Sequence, residues 1–160
     1  MTIEIPRNGT RGVEFPRVAR ALFRVFAPLG PLFYRLSGGR MRVQGRPLLV
    51  LKTVGTKSGK ERQTVVGTFP DPRGILIVAS NAGAARHPAW FYNLARNPDR
   101  VWIETDGRKM KVRPESLRGA ERAEAWRQVV ALAPGYGPYE TKTDREIPLI
   151  RLVPEGSPSR

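Results

Sequence analysis

Residues 55–62 read GTKSGKER, eight positions that gather the groups an anion needs. Lys57, Lys60 and Arg62 bring positive charge, and Thr56 and Ser58 bring hydroxyls. Gly55 and Gly59 let backbone N–H groups approach a ligand closely. Such a turn can cradle a phosphate or another compact anion. It is not a Walker P-loop, which needs four residues between its glycines and then Lys followed by Ser or Thr. Here three residues separate Gly55 from Gly59, and Glu61 follows Lys60. A solvated hairpin tip has the same composition, so the turn alone leaves both readings open.

Two further loops could join it. Residues 81–88 (NAGAARHP) are small and would admit a planar ring, and residues 134–139 (PGYGPY) carry two tyrosines. Tyr136 or Tyr139 could stack on a flat ligand or donate a proton, and packing beside prolines is the competing reading. His87, with no visible catalytic partner, reads as a hydrogen-bonded start to the following helix. Trp90 reads as a core anchor, and Asn93 on the same helix is ambiguous. Paired carboxylates are absent: Asp71, Asp99 and Asp106 sit in turns, and Glu121 and Glu124 on a solvated helix face. With no cysteine and one histidine, no metal site is expected.

The elements that must position these loops follow from periodicity. Residues 48–51 and 65–69 flank the basic turn as a hairpin, with Thr53, Val54 and Thr64 adding β-branched character. Residues 70–74 (PDPRG) form a tight turn before a buried strand at 75–80. Pro88 opens a helix over AWFYNLARN that Asn97 and Pro98 stop. Residues 101–105 and 108–113 form a second hairpin around Asp106-Gly107. Residues 119–133 read as a helix, with Ala125, Trp126, Val129 and Leu132 turned inward. A last strand spans 147–153, and residues 155–160 are expected to be a disordered tail. Hairpins with inserted helices do not make a βαβ series. The expected fold is α+β, an antiparallel barrel or sheet with helices against it.

The chain has 160 residues, enough for one domain with a proper core. It carries 28 Lys+Arg against 14 Asp+Glu, a net charge of +14. That balance points to an anionic partner. Half of the excess lies in residues 1–47, with nine arginines against Glu4 and Glu14. Residues 1–14 are polar and expected to fray. From Pro16 to Leu29 the pattern is helical, with Val18, Leu22, Val25 and Leu29 on one face and Arg17, Arg20 and Arg24 on another. Pro28 and Gly30 should end this helix, before the apolar and basic PLFYRL and a turn at Gly38-Gly39. A basic amphipathic helix can lie on an anionic membrane surface, but packing onto its own core is the commoner outcome. Nothing is apolar for long enough to read as a membrane span, and no signal-peptide pattern is present, so a cytoplasmic location is expected.

Three blocks then become specific in combination: TVGTKSGKER, ILIVASNAGAARHPAWFYNLARNPDRVWIE and YGPYETKTDREIPLIRLVP. Their order and spacing over residues 40–154 resemble the deazaflavin-dependent nitroreductase family of actinobacteria. The resemblance implies a split β-barrel like that of the flavin reductases. It also implies binding of coenzyme F420, an 8-hydroxy-5-deazaflavin with a phosphodiester and an oligoglutamate tail. By it, Lys57, Ser58, Gly59 and Arg62 match the phosphate-binding turn. Val65 and Val66 match positions lining the ring, and Ala79 and Ser80 match the strand end that meets ring and ribityl chain. Asn81 stands where some relatives have a lysine. Trp90 and Asn93 match the HPAW–N helix, and Tyr136 and Tyr139 match tyrosines on the substrate side. Gly67 and Ala133 replace tyrosines of the nitroimidazole-activating members, which should open the substrate pocket and speaks against nitroimidazole activation.

These readings lead to an F420-dependent oxidoreductase. Hydride passes from the reduced deazaflavin to an organic acceptor, in this family often a quinone. The chain would divide into a basic segment at 1–36 able to touch a membrane, a barrel at 37–154, and the tail. A monomer or a homodimer is compatible. The alternatives are a non-catalytic deazaflavin or lipid carrier on the same fold, a relative using FMN or haem, and a nucleic-acid binder. The last lacks any recognition-helix or RNP-type pattern.

Overall fold

The computed structural model describes residues 3–156. Eight antiparallel strands form one sheet: β1 (Arg42–Val43), β2 (Arg46–Val54), β3 (Glu61–Gly67), β4 (Phe69–Asp71), β5 (Gly74–Val78), β6 (Trp102–Thr105), β7 (Arg108–Ser116) and β8 (Leu149–Pro154). The spatial order is β1-β2-β6-β7-β8-β5-β4, and β3 pairs with β2 from Leu48 opposite Gly67 to Val54 opposite Glu61. β3 and β4 therefore lie at opposite edges of the sheet although only Thr68 separates them. For one residue to step between edges, the sheet must curl until they meet, which makes a half-barrel. Thr68 fixes the step, its N–H and hydroxyl both donating to the Pro47 carbonyl at 3.1 and 2.8 Å.

The apolar runs of β2, β5, β6 and β8 fill the barrel with Leu49, Leu51, Ile77, Ile103, Ile150 and Leu152, all fully buried. Each contributes about 1.5–3 kcal/mol of burial. Helix α3 (Ala89–Arg96) closes one end through Phe91 and Leu94. Helix α4 (Gly119–Leu132) covers the outer side through Ala125, Trp126 and Val129, together with Phe69, Leu76 and Leu149. Leu132, expected inward, is 55% exposed because it lies at the last turn of α4, beyond the sheet. Residues 134–139, expected as a loop, begin a 3-10 turn and helix α5 (Gly137–Lys142), Pro134 and Pro138 each taking a first-turn position.

The N-terminal region departs most from expectation. Residues 3–14 are not frayed. Ile3 is buried, Gly9 and Val13 donate to the Ala85 and Gly83 carbonyls, and Asp144 accepts from Thr10 and Arg11. Gly12 runs so close to residues 84–85 that a Cβ there would lie 2.2 Å from the Ala85 nitrogen. Pro28 and Gly30 do not end the helical run. Helix α1 (Arg17–Phe26) passes through a 3-10 turn into α2 (Gly30–Leu36), with Pro28 and Pro31 each in a first turn where no N–H is needed. α2 is anchored by buried Tyr34 and by Arg35, whose fork grips Glu104 of β6 at 3.0–3.2 Å. α1 buries no residue, so packing onto the chain's own core is not what this helix does. At the other end, Glu155 donates its N–H to the Lys111 carbonyl and pairs with the Lys111 ammonium, so order extends past 154. Residues 157–160 of the expected tail lie outside the described residues.

Candidate active site

A cavity of about 760 Å³ opens between the β2–β3 turn, the face of β3, the end of β5 and the start of α3. Its size falls within the roughly 300–1,000 Å³ of small-molecule sites. At one end lies the basic turn. Gly59 takes a left-handed φ of 65°, which a side chain would resist, and Gly55 runs so tightly that a Cβ would meet the Ser58 hydroxyl at 2.6 Å. Gly55 N–H is bonded to Lys60 O, Gly59 N–H to Gly55 O, and Thr56 N–H to Asn93 Oδ1. The N–H groups of Lys57 and Ser58 make no hydrogen bond among the described residues. Beside them, Arg62 reaches the Ser58 hydroxyl at 3.4 Å, and neither Lys57 nor Arg62 has an ion-pair partner among the described residues. Two adjacent free N–H groups, a hydroxyl and two unpaired cations fit an anionic phosphodiester.

The middle of the cavity is apolar. Val65 and Val66 point to opposite faces of β3, Val65 against Tyr34 and Val66 against the main core, and both reach the cavity rim. Trp90 does two things at once, packing on the core and lining the cavity. Asn93 ties the turn down: its carbonyl oxygen accepts from Thr56 N–H at 3.2 Å and its amide donates to the Thr53 hydroxyl at 3.5 Å. At the far end stands Tyr136. Its ring meets Phe69 edge-on at 5.4 Å, and the Arg46 guanidinium stacks on both rings. Burial pushes the Tyr136 hydroxyl above its ordinary value of 10.0 against the opposing pull of Arg46, so at neutral pH it carries its proton.

The fourth wall is residues 80–87. Asn81 and Ala82 both hold positive φ, which side-chain and main-chain bonds around the loop sustain. Asn81 donates to the Arg86 carbonyl at 2.9 Å. His87 donates Nε2–H to Pro6 O at 2.9 Å, its N–H reaches Asn8, and its Nδ1 accepts from Arg145 at 3.1 Å. Both ring nitrogens are thus engaged with the structure.

Of the residues expected from the sequence, the fold brings Thr56, Lys57, Ser58, Arg62, Val65, Val66, Ser80, Asn81, Trp90, Asn93 and Tyr136 around this one cavity. Gly59 and Lys60 stand at the exposed tip of the turn, outside its lining. Ala79 is fully buried behind the wall and takes part only through its carbonyl. Tyr139 lies behind Tyr136, at 5.3 Å between rings, and does not reach the cavity. Gly67 lines the cavity where a Cβ would lie 3.9 Å from the Tyr136 hydroxyl, so no side chain fills that part of the lining. Ala133 is buried in the cluster under α4 and opens nothing. The sequence reading missed Phe23, Thr53, Gln63, Val78 and Ala89 in the lining, and missed Arg145 behind it. Strand alternation around Thr64 could have found Gln63; nothing local marks the others.

A profile of the F420H(2)-dependent quinone reductase family matches residues 31–154. An F420H(2)-dependent quinone reductase of Mycobacterium tuberculosis is 35% identical over 126 residues, covering 75% of this chain and 84% of the relative. A second, putative F420H(2)-dependent quinone reductase from the same organism is 32% identical over 108 residues, covering 68% and 90%. The solved structure of the F420-H2 dependent reductase FDR-A superposes with a TM-score of 0.59 at 33% identity, covering 70% of this chain and 98% of that one. Another, described as a domain-swapped dimer, gives 0.61 at 30% identity, covering 76% and 94%. The chain belongs to the F420H(2)-dependent quinone reductase family, oxidoreductases of half-barrel fold whose cofactor is coenzyme F420.

Proposed function

We propose that this cavity binds F420 and a quinone-like acceptor together, with the phosphodiester at the 55–62 turn and the acceptor toward Tyr136. The observation that carries the reading is the polarity of the cavity: free N–H groups and unpaired cations at one end, apolar walls between, and a protonated phenol at the other. Reduced F420, when bound, supplies a hydride. The protein's part is to orient, to exclude water and to hold a proton. Lys57, Ser58 and Arg62 grip the phosphate, while Val65, Val66 and Trp90 keep the ring's surroundings dry. Tyr136 holds the proton that a reduced acceptor oxygen takes up. A groove of about 300 Å³ shares Thr56, Lys57, Ala89 and Asn93 with the cavity and adds Tyr92 and Arg96. Its cations suit a carboxylate tail.

Helix α1 is read as an interfacial anchor at the cytoplasmic face of an anionic membrane. Val18, Phe23, Val25 and Phe26 are 58–76% exposed, arginines occupy another face, and Phe23 also lines the cavity. A lipid-soluble acceptor then meets the cavity mouth at the membrane surface. No helix among the described residues is long and apolar enough to cross a membrane.

Titration with F420 and FMN side by side, followed by stopped-flow oxidation of the reduced cofactor by a menaquinone analogue, tests the central reading. Tight F420 binding without oxidation by the quinone would make the protein a carrier. Flotation with anionic vesicles tests the anchor: Val18→Ser, Val25→Ser and Phe26→Ser together, all on the exposed apolar face of α1, should abolish it. A homodimer burying α1 instead would appear by light scattering.

A further inference from the structure

Arg145, between α5 and β8, is 6% exposed. Its guanidinium donates to the carbonyls of Ala84 at 2.8 Å, Ala79 at 3.2 Å and Ser80 at 2.6 Å, and to His87 Nδ1 at 3.1 Å. No carboxylate pairs with it among the described residues. Asp144 is turned away to Thr10 and Arg11, and Glu146 is exposed to water. A buried cation answered only by carbonyl dipoles is costly to keep. His87 does not answer it either. With Nδ1 accepting from Arg145 and Nε2–H given to Pro6, the imidazole is neutral, and burial together with the arginine charge keeps it so. Yet the guanidinium stands directly behind the cavity wall, since Ser80 and His87 both line the cavity.

We propose that Arg145 is a positioning residue for the cofactor: its donors fix the wall at residues 79–87, and its unanswered charge is completed by a ring held as an anion in the cavity. The proposal rests on the reading of this cavity as the F420 site. The 8-hydroxyl of the deazaflavin is phenol-like, and loss of its proton spreads negative charge over the ring. A desolvated positive charge nearby favours that anion. Other charged or titratable groups face the same space: Lys57 and Arg62 at the rim, Tyr136 across the cavity, and Tyr92 and Glu146 beside Arg145 and His87. Lys57 and Arg62 are exposed and screened by salt, whereas Arg145 is not.

The test is a pH titration of the visible absorption of saturating oxidised F420, free and bound to the full-length wild type, R145K and R145M, at low and high salt. In the wild type the bound hydroxyl should titrate about one pH unit or more below the free cofactor, close to tenfold more anion at a given pH, and the shift should survive high salt. R145M should lose the shift. R145K should keep much of it while binding more weakly, because an ammonium holds the charge but not the fork of donors. A bound ring that titrates like the free one in the wild type at high salt overturns the proposal, even if R145M does not fold. So does an unchanged shift in F420-loaded R145M. Failure of the wild type to bind F420 at all would be a separate result, removing the cavity's assignment and this proposal with it.

Discussion

Arg151 and Arg145 lie close in sequence, and both are buried, at 5% and 6% exposure. Arg151, on β8, donates to Asp71 at 2.7 Å, to Glu121 at 2.7 Å and to Glu115 at 3.4 Å. Its charge is neutralised from within: against burial, which lowers its pKa, the bonds and charges of Asp71 and Glu121 win and raise it. Arg145 has carbonyls and an imidazole, and no carboxylate among the described residues. The first is a closed network across the outer side of the barrel, joining β4, β7, β8 and α4. The second is an open one behind the cavity. A buried charge with its partners in place speaks for structure, and one without them speaks for a ligand.

Substitutions can break this contrast. The largest effect should come from Arg151→Met, which leaves Asp71 buried without its cation. It should cost about 3–5 kcal/mol of stability in denaturant unfolding, while F420 binding by the folded protein stays as it was. If R151M alters cofactor affinity instead, the two networks are not separate. Next, Lys57→Ala with Arg62→Ala should weaken F420 binding about a hundredfold in a fluorescence titration, at about 1.5 kcal/mol for each charge-assisted bond, with unfolding unchanged. Intact affinity would move the phosphate away from the turn.

Smaller effects sharpen the acceptor end. Tyr136→Phe should lower turnover with a quinone by about a hundredfold and leave F420 affinity alone. Gly67→Tyr adds a ring where only 3.9 Å separates a Cβ from the Tyr136 hydroxyl. It should raise KM for a bulky quinone about tenfold, an estimate in line with selective filling of an apolar pocket. The smallest effect is a pH dependence. Bonds from Thr10 and Arg11 lower Asp144 from its ordinary 3.8 to about 2. Its hold on residues 3–14 is therefore complete above the ordinary value and is lost as pH falls through about 2. Amide exchange of residues 9–13 should quicken over that interval.

The legible parts of the molecule were local. The hairpins at residues 48–67 and 102–116, helix α3 and the basic turn follow from alternation, Asp-Gly and Gly-rich turn chemistry, and Pro88. The illegible parts were those where a partner lies far along the chain. Residues 3–14 look like a frayed terminus because their apolar residues, Ile3 and Ile5, are few, yet they pack against the core and residues 83–87. Tyr139 and Tyr136 are indistinguishable in sequence, and only the turn of α5 sends one behind the other. Ala133 looked like an opened pocket because the packing of α4 against Phe69 and Leu149 is not visible from the chain.

By itself the sequence determined the charge of the 55–62 turn, the strands on either side of it and the membership in an F420-dependent family, because turn geometry and β-alternation are set by neighbours within a few residues. Only the tertiary structure decided that α1 buries none of its residues while α2 is anchored, and that Arg145 is buried with no carboxylate partner among the described residues. Which side chains meet across a curled sheet depends on where its edges close, here on a single residue, Thr68, carrying the chain from one edge to the other.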